Sequence, residues 1–208
     1  MSPPQGCDVN CLICPSFIRE GCMAAFLLTP PTQEPLSLLE AKAFLRVAHE
    51  DDDTVIAALI AAARNHVEAA TRRALLTQTW RFVLDAWPRT GRFAPRIGPL
   101  QALLAAQVVD ADGTAHMIDG ESFVVDVAGN AIAAPCFALP SPGRATAGIV
   151  LDVSCGYGDA AENVPADLRH AVRMLVAHWY DNRVASADGA AAPSSVGALL
   201  APYRMLAL

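Results

Sequence analysis

Apolar and polar positions change their period twice along this chain, and each change marks a new kind of element. Leu38, Ala41, Leu45 and Ala48 recur at helical spacing, with Phe44 widening the stripe. Ser37-Leu-Leu-Glu40 forms a capping-box sequence at its start, and the helix is expected to end near His49. A second helical stripe follows in Ile56, Leu59, Ile60, Ala63, Val67 and Ala70. The acidic run Glu50 to Asp53 stands before it, where carboxylates cap open amides and complement the helix dipole.

After Thr77 the period drops to two. Trp80, Phe82 and Leu84 alternate with Arg81, Val83 and Asp85, as in a half-buried strand. Residues 88–99, rich in Pro, Gly and Arg, read as a long basic loop or extended arm. Gln107 to Ile118 reads as a hairpin turning at Asp112-Gly113. Residues 123–127 and 149–153 supply further strands, with turns at Gly129-Asn130 and a loop from Gly143 to Gly148. The helical period then returns behind Pro165, with Leu168, Ala171, Val172, Leu175, Val176 and Trp179 as the stripe.

These elements define an α+β fold: an N-terminal helix pair, a small central antiparallel β region with long loops, and a long C-terminal helix followed by a docking tail. Residues 1–26 read as a leader without a core of its own, and Met23 offers an internal start. Residues 27–183 form the domain, 184–195 a flexible Ala/Ser/Gly/Pro linker, and 196–208 an apolar tail. An apolar segment beyond a flexible linker suits docking on a partner; folding back over the helices is the alternative.

Composition sharpens this. Apolar residues are 53% and aromatics 6% of 208 residues, and much of the apolar share is alanine, which buries little area per residue. A core of that kind gains burial from neighbouring subunits. The net charge of −6 argues against a surface built to grip nucleic acid, which needs clustered Lys and Arg. The local exception is Arg89, Arg92 and Arg96, with Arg72 and Arg73 nearby: either a solvated loop or one facing DNA or an acidic partner. No apolar run reaches the length of about 20 residues that a membrane helix needs, and no secretory signal is expected at the N-terminus.

Candidate chemistry is sparse. Cys7, Cys11 and Cys14 have the C-x3-C-x2-C spacing of radical S-adenosylmethionine enzymes, and Cys22 would complete a four-thiolate zinc site. Only six residues precede Cys7 and a helix pair follows, so the strand and barrel of the iron–sulfur family are missing; a leader without metal is the simpler reading. Cys136 and Cys155 read as small buried apolar residues. Asp110 and Asp112 begin like a calcium loop, but the later ligands are lacking and a turn is expected. His178 and Asp181, spaced i, i+3, have no nucleophile near them in sequence. With no nucleophile–base constellation, no reaction class follows, and neither catalytic residues nor a cofactor is expected.

Several segments in order resemble the head–tail connector (adaptor) family of long-tailed phages and phage-derived gene transfer agents. They are Leu28-Thr-Pro-Pro31, Leu38-Leu-Glu-Ala-Lys42, Ile56 to Arg64, Thr71 to Trp80, Gly156-Tyr-Gly-Asp159, Val164-Pro165, Val176 to Arg183 and Leu199 to Arg204. The resemblance spans the chain from Leu27 onward and leaves out the cysteine leader. One departure is Thr71-Arg72-Arg73, where the family often has Thr-Gly-Arg; glycine there would suit a left-handed helix end.

The resemblance implies a non-enzymatic subunit of a dodecameric ring at the head–tail joint of the particle, assembled in the bacterial cytoplasm. The ring lies between the portal and a downstream stopper or tail-terminator protein, with DNA only as transiting cargo and no membrane. Subunit contacts are expected at Ala57, Ala61, Arg64, Trp179 and Tyr180. Portal docking is expected at Leu199, Leu200, Pro202, Tyr203, Arg204, Met205 and Leu206, and the loop carrying Arg89, Arg92 and Arg96 is the candidate to meet the channel or a partner.

Overall fold

The computed structural model describes residues 23–135, 139–182 and 192–205. The fold is α+β, with antiparallel sheets beside a helical layer. It does not open on helices, however. Strand β1 (Met23–Thr29) comes first, so the expected leader boundary at residue 26 moves back and the expected order is corrected. Its partner is β2 (Gln78–Leu84), with Leu27 opposite Trp80. The apolar run before Pro30 and Pro31 is bounded as strands are, and pairing with β2 satisfies half of its backbone.

Helix α1 (Leu38–Leu45) starts on the expected capping box, with Glu40 N donating to Ser37 Oγ and Ser37 N donating to Glu40. It ends earlier than His49, because Arg46 turns left-handed (φ 58°) and its N–H closes on Ala43 O. Helix α2 (Asp53–Thr71) likewise ends on a left-handed residue, Arg72 (φ 56°), in the place where glycine is favoured. The acidic run before α2 does not cap it through side chains. Asp52 instead accepts from the Tyr180 hydroxyl, and Asp53 pairs with Lys42 at 2.5 Å, so the run ties three helices together.

The main sheet has the order β1-β2-β8-β4-β5, with β4 (Leu100–Val109), β5 (Ala115–Ile118) and β8 (Ile149–Cys155). Beside it lies a small sheet of β3 (Arg92–Phe93), β7 (Ala131–Ala133) and β6 (Val124–Asp126). β3 falls within the expected irregular basic arm, which is thus partly a strand. The β4–β5 hairpin turns where expected, with Gly113 at φ 92° and Thr114 N donating to Asp112 Oδ1.

Two cores result. The sheet core gathers Phe82, Leu100, Ile149, Leu151 and Val153 against Phe93, Phe123 and Ile132 of the small sheet and its neighbouring turn. The helical core sets Ile56, Ile60, Ala63 and Val67 of α2 against Leu168, Ala171, Val172, Leu175 and Val176 of α3 (Ala166–Asp181). Each large aliphatic side chain buried this way contributes about 1.5–3 kcal/mol. Ala74, Leu75 and Leu76 pass from one core to the other directly after α2. Gly156 makes that crossing possible: a Cβ there would lie 2.5 Å from the Leu76 carbonyl carbon, and φ is +143°.

Helix α4 (Ser194–Leu200) takes in the end of the expected linker and the start of the expected tail. Val196 and Leu200 are buried in the helical core. The premise that the tail is not needed by its own core is therefore corrected. Residues 184–191 of the linker and 1–22 of the leader lie outside the described residues.

Candidate subunit and portal surfaces

The tail is held by named bonds. Arg73 Nε donates to Tyr203 O at 2.7 Å, Tyr203 Oη donates to Asp167 at 3.1 Å, and Met205 N donates to Thr71 O at 3.2 Å. Burial of Tyr203, together with the Asp167 carboxylate it meets, pushes its phenol pKa up. Of the expected portal-docking residues, Leu200 is buried, Leu199, Tyr203 and Met205 are half-buried, and Pro202 and Arg204 are exposed. Leu206 lies outside the described residues.

The expected subunit-contact residues divide similarly. Ala57 is exposed and Ala61 half-exposed on α2, with small side chains that permit close approach. Trp179 packs edge-on against His66, ring centroids 5.8 Å apart. Tyr180 is committed to Asp52.

Arg64 does not face outward as a contact residue would. It is 8% exposed and sits in an internal network, with Nε 2.8 Å from Glu34 and Nη1 3.1 Å from Glu68. Glu68 also accepts from Leu75 N and Gln78 Nε2. Burial raises the Glu68 pKa; the Leu75 amide and the Arg64 charge oppose that shift. A buried cation with two carboxylates holds the end of α2 onto the crossing segment.

The loop arginines do not form one open cluster. Arg92 Nη2 donates to Asp126 at 3.1 Å and to Gly129 O at 3.3 Å, pinning the β6–β7 turn. Arg89 and Arg96 are exposed, each with interactions of its own. Arg72 is exposed at the end of α2 and has no ion-pair partner among the described residues.

Sequence reasoning missed two features. The first is the edge of β1, unpaired among the described residues: Ala24 to Thr29 are all exposed, including Phe26 at 55% and Leu28 at 43%. An apolar edge strand without a guarding charge invites another chain. The signal was the apolar run Ala24-Ala-Phe-Leu-Leu28, which straddles the expected boundary between leader and domain. The second is a cleft of about 260 Å³ between the end of α2, the β1–β2 ladder and Ile97. Leu27, Ala69, Ala74, Trp80 and Ile97 give it apolar walls, and Arg72 and Arg73 rim it. Gln78 Oε1 and Trp80 Nε1, both buried, lack hydrogen-bond partners, and both side chains line this cleft. No spacing in the sequence marks a cleft built from three separate segments.

Metal chemistry finds no support in the described residues. Among them no group of three or more His, Cys, Asp or Glu side chains is placed to hold an ion. Cys155 is buried, and desolvation pushes its thiol up to about 12. Asp110 bonds His116 at 2.7 Å, and His178 meets Asn182 at 3.3 Å. Cys7, Cys11, Cys14, Cys22 and Cys136 lie outside the described residues.

Residues 35–103 match the phage gp6-like head-tail connector protein family. Solved structures similar to this chain include chains of gene transfer agent (GTA) particles. The neck of an empty GTA particle computed with C6 symmetry contains a chain 26% identical, at TM-score 0.74, covering 89% of this chain and 97% of that one. The virion of a native GTA particle has a chain 26% identical at TM-score 0.75, covering 88% and 96%. The neck of a native GTA particle computed with C12 symmetry has one 27% identical at TM-score 0.68, covering 90% and 97%. No curated protein matches the chain.

Proposed function

We propose that this chain forms a dodecameric ring at the head–tail joint of a phage or gene transfer agent particle. The ring lies between the portal and a stopper or tail terminator, continues the DNA channel and has no catalytic turnover. The observation that carries this is the near full-length likeness to a chain of a particle neck computed with C12 symmetry. The N-terminal helices and α3 form the body of each subunit, and Ala57, Ala61 and Trp179 line contacts between copies. The exposed part of the terminal segment, Pro202 and Arg204, meets the portal, while Leu200 holds that segment on its own helices. The chain's net charge of −6 suits a channel that lets DNA slide.

Deleting the gene in a producing strain tests the reading. Filled or empty heads without joined tails are expected, with joining restored by the gene in trans. Normally joined particles from the deletion strain would overturn it.

A further inference from the structure

A ring is built from head-to-tail contacts, so each copy must offer two different, complementary surfaces. Helix α2 carries such a pair at its two ends. At its start, Glu50 and Asp51 stand exposed, the Asp51 side chain at 95%. At its other end lies the cleft rimmed by Arg72 and Arg73, with Gln78 Oε1 and Trp80 Nε1 unpartnered in its lining side chains. The helix has 19 residues and is therefore about 28 Å long. Its two ends cannot meet within one chain. In a protein of net charge −6, a basic recess is a local exception that favours an acidic visitor, and every neighbouring copy brings one.

We propose that the cleft at the end of α2 receives the α1–α2 turn of the adjacent copy. The carboxylates of Glu50 and Asp51 face Arg72 and Arg73, and the turn backbone covers Leu27 and Ile97. This rests on the ring reading above and adds the surfaces that join one copy to the next. It moves the main contact from the helix flanks to the helix ends.

The test uses full-length chains in a producer strain lacking the native gene, with incorporation into particles measured by quantitative mass spectrometry. Glu50→Arg/Asp51→Arg should lose incorporation by about tenfold or more, and Arg72→Glu likewise, since each sets like charges opposite. Both sites are exposed, and melting curves check that each variant folds. Co-expressing the two variants should restore incorporation, because alternating copies pair opposite charges all round an even-numbered ring. Normal incorporation of either folded variant alone, or failure of the mixture where wild type succeeds, would overturn the proposal. Failure of the wild-type chain to enter particles would instead remove the ring reading itself.

Discussion

Arg64 on α2 donates through Nε to Glu34 across 2.8 Å, tying the helix to the segment that leads into α1. The contact spans thirty positions in sequence and is almost closed to solvent on the arginine side, where side-chain exposure is 10%. It decides that α2 packs with its basic residue inward.

Arg64→Met should therefore destabilise the fold. It leaves Glu68 buried and Glu34 without their cation, at a cost of about 3 kcal/mol. For a chain of this size the melting temperature should fall by roughly 6–12 °C. A melt unchanged within a degree would show that the network contributes nothing net.

Ser37→Ala should lower stability by about 1 kcal/mol at neutral pH. The Ser37 amide and hydroxyl hold the Glu40 carboxyl below its ordinary value of 4.5. A carboxyl depressed by folding stabilises above its unfolded pKa, and that stabilisation is lost as pH falls through the folded value. The gap between wild type and variant should narrow below pH 4.5. Urea titrations at pH 7 and pH 3 measure it.

Arg72→Gly should raise stability by about 1 kcal/mol, since glycine adopts φ 56° without the steric cost an L side chain bears. If Arg72 also serves a neighbouring copy, the same variant should enter particles less well while melting higher. A lower melting temperature would contradict the strain assigned to this helix end.

Leu200→Ala should cost about 3 kcal/mol, because the side chain is 2% exposed in the helical core. Pro202→Asp and Arg204→Glu lie outside that core and should leave the melt nearly unchanged. If those two positions meet the portal, they should nevertheless reduce copurification of the chain with portal-bearing heads. Equal losses of stability from all three would assign the segment to folding alone.

Cys155 should resist alkylation in the folded chain, its thiol being pushed up to about 12 by burial. Iodoacetamide labelling followed by peptide mass spectrometry should find it modified only after unfolding. Rapid labelling of native protein would show that the strand end opens.

Local patterns were legible in the chain alone because they are decided within one or two turns of backbone. Ser37 and Glu40 announced the start of α1, the stripe from Ile56 to Val67 predicted the buried face of α2, and Asp112-Gly113 marked the hairpin. The same holds for the apolar stripe from Leu168 to Val176, which needs only one neighbouring helix to be buried. The departure at Thr71-Arg72-Arg73 left the end of α2 open, and the structure settles it with Arg72 left-handed.

What tertiary structure alone decided depended on partners far apart in sequence. Arg64 looks like a surface cation until Glu34 and Glu68 are brought to it, and Asp52 looks like a cap until Tyr180 arrives from α3. Leu200 looks like a docking residue until α4 folds back, and β1 becomes a strand only because β2 supplies its hydrogen bonds. Periodicity reports which side of an element avoids water; it does not name the neighbour that excludes the water, because that neighbour is selected by packing across the whole chain.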